Sequence, residues 1–268
     1  MRIKLLIWQL YSPVRAVILI LVMLCPPFVS KADTAPLAAA ARHRPPWITV
    51  DKSGINGPLY EIANEAAIRA GITLKWRREP FARTLNALSL GNDILLPRMA
   101  KNEERAGYTS FTVSVLDIER EVIFAVSTRK LIDINSYADL EGKLIGVKRS
   151  GSYFKTFDED ERLFKVIVKD DIQLVKMLDA GRFEVAATPD RVSFEEAATK
   201  NNATRWKYAK YKHTFPTGIY FGLKKGSSYY LPFNLALIDM QKDGSIAAIF
   251  QKYGINTCLE NTFLLMCE

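Results

Sequence analysis

The chain alternates between short apolar runs and longer stretches in which apolar residues recur every three or four positions. The first pattern predicts buried strands and the second amphipathic helices. Trp47-Ile48-Thr49-Val50 reads as a short strand. Leu59, Ile62, Ala63, Ala66, Ala67 and Ala70 then fall at helical spacing, with Gly71 as the stop. Ile72 to Trp76 reads as a strand. Pro80 opens a helix at its first turn, with Leu85 and Leu88 inward and Gly91 ending it. Further strands are predicted at Ile94–Leu96, Val122–Val126, Leu144–Val147, Phe164–Val168, Val185–Ala187 and Tyr220–Leu223. Helices are predicted at Ile172–Ala180, at Phe194–Lys200 and twice within Phe233–Tyr253. Strands separated by helices imply an α/β class with mostly parallel sheets flanked by helices.

One pattern occurs twice. Leu88-Ser-Leu-Gly91-Asn-Asp93-Ile-Leu-Leu-Pro97 is a helix end, a glycine, a short strand and a proline. Leu178-Asp-Ala-Gly181-Arg-Phe-Glu184-Val-Ala-Ala-Thr-Pro189 repeats that order. Two copies imply two similar α/β lobes. Ligands of open α/β sheets sit beyond the carboxyl ends of the strands. Arg98 follows one copy and Asp190 the other. If the lobes face each other, a cation and an anion look into one cleft suited to a zwitterion. The competing reading puts both charges on exposed loops.

Composition modifies this picture at the ends. The 268 residues are 49% hydrophobic and 25% charged, an ordinary globular balance with enough chain for a sizeable core. The formal charge is +8. Residues 1–32 hold Arg2, Lys4, Arg15 and Lys31 and no acid, so half of that excess belongs to a segment that reads as a signal peptide. There a basic start leads into the apolar run Ala16–Leu24, then Pro26-Pro27, then Ser30-Lys31-Ala32, which puts small residues at −3 and −1 of a cut before Asp33. Nine residues at about 1.5 Å each are too short to span a hydrocarbon core of about 30 Å. Residues 33–44, rich in alanine and proline, read as a flexible lead-in. Export makes Cys258 and Cys267 an expected disulfide; two buried thiols are the alternative.

Catalytic and cofactor signatures are missing. The two histidines, His43 and His213, are far apart, and no zinc, Walker, dinucleotide or nucleophile-elbow motif occurs. No metal or cofactor is expected. Arg205-Trp-Lys-Tyr-Ala-Lys-Tyr-Lys-His213 interleaves bases and aromatics in the manner of single-strand nucleic-acid binders. The same alternation fits an amphipathic strand with snorkelling lysines, the preferred reading in an exported chain. No nucleic-acid partner is expected.

Several motifs resemble those of the family 3 extracellular solute-binding proteins, whose type II periplasmic binding fold serves amino-acid ABC importers. Ser136-Tyr-Ala-Asp-Leu-Glu-Gly142-Lys-Leu-Ile-Gly146-Val147 is similar to the family's D-L-x-G-K-x-x-G-V segment. Asn102-Glu-Glu-Arg105 with Phe111 resembles T-x-E-R-x5-F-S. Gly218-Ile-Tyr-Phe-Gly-Leu-Lys-Lys-Gly226-Ser227 resembles the return to the first lobe, and Asp243-Gly244-Ser245-Ile246 through Gly254 the closing helix.

The resemblance implies two lobes, residues 45–119 with 217–268 and residues 120–216, joined by crossings near Asp117–Arg120 and Phe215–Gly218. It also implies a monomer that closes like a hinge on an amino-acid-like ligand in the periplasm and then meets an ABC permease or a sensor. Arg105 takes the place of the arginine that grips the ligand's carboxylate as a bidentate fork. Ser150, Gly151 and Ser152 take the place of backbone amides and a hydroxyl on the same carboxylate, at a helix start. Asp190 is the candidate for the α-ammonium. The sequence departs from the family at Asn102, Ala100 and Arg98; Arg98 either enters the pocket and favours an acidic group or points away. Trp47 and Phe81 are candidates for a stacking wall, with simple core as the alternative. A dehydratase on the same scaffold is the rival function, with Asp190 or Glu184 as its general acid.

Overall fold

The computed structural model describes residues 35–257. The signal-peptide segment and the Cys258–Cys267 pair lie outside the described residues. Strand β1 is Leu37–Ala41, and a two-residue hairpin of β2 (Thr49–Val50) and β3 (Ile55–Asn56) follows it. Helix α1 (Pro58–Arg69), β4 (Leu74–Arg78), α2 (Phe81–Ser89), β5 (Ile94–Pro97), α3 (Glu103–Tyr108) and β6 (Thr109–Phe111) complete the first pass. The second part contains β7 (Asp117–Ser127), β8 (Leu144–Lys148), α4 (Lys155–Glu159), β9 (Phe164–Val168), α5 (Asp171–Asp179), β10 (Val185–Thr188), α6 (Arg191–Lys200) and β11 (Trp206–Gly218). The chain then returns through β12 (Phe221–Lys224), α7 (Tyr230–Lys242) and α8 (Ser245–Lys252).

Two five-stranded sheets result, ordered β4-β1-β5-β12-β6 and β11-β7-β10-β8-β9. In each sheet two neighbouring pairs are parallel and two antiparallel. The antiparallel share exceeds what strand–helix alternation implied. In the second sheet it arises because β7 and β11 run between the lobes and return as partners of each other, with Asp117 opposite Gly218 and Phe215 opposite Arg120; in the first, β12 returns antiparallel to β5 and β6. Their ends belong to different cores. Ile118 and Ile219 pack with Phe221, Phe233 and Phe250 in the first lobe, whereas Val122 and Phe215 pack with Phe124 and Phe157 in the second. The connection between the lobes is thus one paired ribbon.

The lead-in expected at residues 33–44 needs correction. Leu37–Ala41 lies between β4 and β5, paired in parallel with both, and Leu37, Ala39, Ala40 and Ala41 are buried. Alanine has little preference for strands, but a strand covered on both faces needs only an unbroken apolar run. Small side chains here let α-helices approach the sheet. The basic-aromatic stretch is a strand, β11, whose exposure alternates along its length. His213 stacks on Phe154 with ring centroids 3.8 Å apart.

The echoed segments form β5 and β10, each fully buried and each inside its own sheet. Gly146 on β8 marks a close approach between layers. A Cβ there would run into the Phe183 ring and sit 2.8 Å from Leu174. Both neighbours are buried and cannot swing away. Gly146→Ala is therefore expected to lower stability by about 1–3 kcal/mol. Urea denaturation checks this: the midpoint should fall with the slope unchanged, and an unchanged midpoint would mean that the layers have slack.

Candidate functional site

The carboxyl ends of β1, β5 and β8 converge where the two sheets face each other, the place where open α/β sheets accept ligands. The cavity there has a volume of about 560 Å³ and is walled by both lobes. Arg42 and Arg44 follow β1, Arg98 follows β5, and Lys148 to Ser152 close β8. Arg120 enters from the ribbon. Two residues lining the cavity hold left-handed backbone without being glycine: Arg98 at φ 53° and Ser150 at φ 55°. Such conformations carry strain that tends to gather at binding sites.

Arg105 is only 3% exposed and lines the cavity. Asn102 caps α3 by accepting the Arg105 N–H at 2.9 Å, which fixes the start of the helix and aims the side chain. The guanidinium donates to the Ala100 carbonyl at 2.8 Å and, across the cleft, to the Ser150 carbonyl at 3.0 Å. Its stem lies beside Phe81, whose ring centroid is 5.4 Å from the guanidinium carbon; Arg42 stands over the same ring at 4.0 Å. Phe81 thus lines the cavity, but its face is covered by guanidinium groups. Trp47 is not in the wall. It packs edge-on against Phe250 in the first core and lies 5.0 Å from Arg98, beside a smaller cavity of about 250 Å³.

Ser150, Gly151 and Ser152 line the cavity, but not as the start of a helix. Helix α4 begins later, at Lys155. The Gly151 N–H turns back to the Lys148 carbonyl at 2.9 Å, and the Ser150 and Ser152 carbonyls accept from Arg105 and Arg120. The segment therefore presents carbonyl oxygens to the arginines. A side chain at Gly151 would meet the Lys148 carbonyl and the Tyr153 ring, each at 2.9 Å.

Asp190 sits where the second lobe meets the first, but it is already engaged. Arg44 Nε approaches its Oδ2 at 2.9 Å across the lobes, with the side chains 14% and 10% exposed. Its other oxygen caps α6 by accepting the Ser193 N–H at 3.3 Å. Asp190 therefore does not offer a free carboxylate to an ammonium, the role expected of it, in this arrangement. Glu184 stands at the opposite end of β10, bonded to the Leu144 N–H and to Lys130, away from the cavity. It is not placed for the acid role weighed above.

Electrostatics reinforce this geometry. Nine cationic side chains line the cavity against two carboxylates, Asp170 and Asp171. Burial, Arg44 and other neighbouring charges push the Arg42 and Arg98 pKa values well down from the usual arginine value. Burial, then Arg44 and Arg105, push Arg120 down to about 10. Sequence reasoning missed Arg42, Arg44, Arg120 and Lys148. The signal available for the first two was a basic pair directly after an unbroken apolar run. Among the described residues no group of His, Cys, Asp and Glu could hold a metal ion, and no helix is long and apolar enough to cross a membrane.

A family model matches residues 37–256: the bacterial extracellular solute-binding proteins, family 3. The chain belongs to this family. It is a family of binding proteins, not enzymes. No curated protein sequence matches the chain. Among solved structures, similar folds include a histidine kinase sensor domain with similarity to periplasmic binding proteins, at TM-score 0.65 and 19% identity over 84% of this chain and 98% of that one. An ancestral arginine-binding protein bound to arginine gives 0.64 and 22% over 82% and 98%. The GluR0 ligand-binding core from Nostoc punctiforme, in complex with L-glutamate, gives 0.61 and 19% over 81% and 99%.

The Arg44–Asp190 pair makes a pH-dependent contribution to this family 3 chain. Burial alone would raise the Asp190 carboxyl, but Arg44, Lys148 and Arg98 outweigh it and lower its pKa. The stabilisation is then complete above the unfolded carboxyl value of about 4 and is lost as pH falls through the lower folded value. Asp190→Asn keeps the helix cap and removes the charge. It should cost on the order of 2 kcal/mol at pH 7 and less at pH 3, read from urea unfolding at both pH values. Equal costs at the two pH values would remove the ion pair from the account.

Proposed function

We propose that the chain is an exported solute-binding protein that captures a small carboxylate-bearing solute between its lobes by hinge closure and presents the closed form to a membrane partner. The observation that carries this reading is Arg105, rooted in the first lobe, buried in the cavity wall and bonded to the Ser150 carbonyl of the second. A planar guanidinium matches a carboxylate fork and stays charged when desolvated. Asn102 to Ser152 at 3.4 Å and Lys155 to Glu103 at 3.2 Å are further contacts across the same gap.

The paired ribbon supplies the hinge, and a ligand touching both lobes lowers the energy of the closed arrangement alone. A few charge-assisted hydrogen bonds, each worth roughly 1.5–3 kcal/mol, suffice for micromolar affinity of about −8 kcal/mol. Export follows from the leader reading of residues 1–32, and a periplasmic setting from the family. Amino acids are the solutes of the arginine-bound and glutamate-bound neighbours, and an amino acid or related small acid is the starting expectation here. An ABC permease is one receiver of the closed form. A signalling partner is the second reading, favoured by the likeness to a histidine kinase sensor domain over 84% of the chain.

Thermal shift of the chain lacking residues 1–32, against amino acids and small organic acids, tests the proposal. At least one compound should raise the melting temperature by several degrees. Arg105→Lys, which keeps the charge and loses the fork, should bind that compound at least tenfold more weakly. Undiminished binding by the variant would take Arg105 out of the site.

A further inference from the structure

We infer that the solute is a small molecule carrying two or more anionic groups and needing no ammonium, because each carboxylate lining the larger cavity, and Asp190 beside it, is already paired or capping while several of the buried guanidinium groups there have no ion-pair partner. This inference rests on the proposed function and narrows its ligand class.

Asp171 places both oxygens on Lys148 Nζ, at 2.7 and 2.8 Å. Asp170 caps α5 by accepting the Gln173 N–H at 2.9 Å. Asp190 is held by Arg44 and by the Ser193 N–H. At Asp171 and Asp190 an incoming ammonium would have to displace a lysine or an arginine, and at Asp170 it would share a helix-capping carboxylate, in each case among like charges.

The cations show the opposite balance. Arg42 leans on the Phe81 ring, Arg98 stands over Trp47, and Arg120 reaches the Ser152 carbonyl. None of the three takes part in an ion pair among the described residues, and the buried Arg98 Nε has no hydrogen-bond partner there. Buried charge without an ion-pair partner is costly, and arginine does not escape the cost by losing its proton. Hence the missing partner is anionic. Arg105 alone answers one carboxylate. Arg42, Arg98 and Arg120 come from three further segments of the fold, and a single carboxylate cannot neutralise them all. Dicarboxylates and phosphate-bearing acids share the required chemistry, since the guanidinium fork fits both oxyanions.

Glutarate and L-glutamate have the same carbon chain and differ only in the α-ammonium. Isothermal titration of the chain lacking residues 1–32 with these two, with phosphoglycolate and with L-arginine tests the inference. Glutarate or phosphoglycolate should bind at least tenfold more tightly than glutamate, and the tighter of the two tells carboxylate from phosphate. Arg98→Gln and Arg42→Gln should each weaken that compound at least tenfold with the circular-dichroism spectrum unchanged. Glutamate or arginine binding as tightly as both acids overturns the inference and leaves the proposed function standing. Failure of all four compounds to bind counts against both. Undiminished affinity in the two variants overturns the assignment of the second anionic group to this arginine cluster.

Discussion

Positive charge held between two lobes, with too little negative charge inside the chain to balance it, is the constraint from which the rest of this molecule follows. Guanidinium groups from four separate segments reach one cavity, and the acids nearby are already paired with Arg44 or Lys148 or cap a helix. Each arginine is positioned by ordinary folding: a cap at Asn102, a left-handed turn at Arg98, an aromatic ring under Arg42. Collecting them in one wall costs electrostatic energy that the fold alone does not recover. Asp190 of the second lobe offsets part of that cost through Arg44, and an anion between the lobes would offset more. In the proposed function, ligand charge and lobe closure are coupled through this one interaction.

The architecture makes the coupling mechanical. Each lobe has its own apolar core, and among the described residues only the β7–β11 ribbon passes between them. The equivalent strands β5 and β10 deliver Arg98 to one side of the gap and Asp190 to the other. Their opposite charges do not form the simple zwitterion trap that their spacing implied, because Arg44 intervenes at 2.9 Å from Asp190. The pair ties the lobes and removes the negative end of the trap at once.

Much of this was legible in the residues. Helices with three-to-four-residue periodicity, such as α1, and the repeated helix-glycine-strand-proline order located most elements and both lobes. Arg105 was found through the family resemblance and lies in the cavity wall. The failures have physical causes. Leu37–Ala41 lacks the branched side chains that signal a strand, so its place between two parallel partners was invisible, and Arg42 and Arg44 were lost with it. Ser150 to Ser152 has the composition of an amide cradle, but its carbonyls, not a helix start, meet the arginines. Asp190 and Arg44 are far apart in the chain, and only tertiary folding decides whether a carboxylate is free.

Small-angle scattering tests the central claim most directly, by comparing the chain lacking residues 1–32 in low-salt buffer without solute and with saturating glutarate. Charge relief by an anion predicts an extended form that contracts when glutarate is bound, with a smaller radius of gyration. Identical curves with glutarate shown to be bound would contradict it, because the arginine cluster would then have no hold on the opening of the lobes.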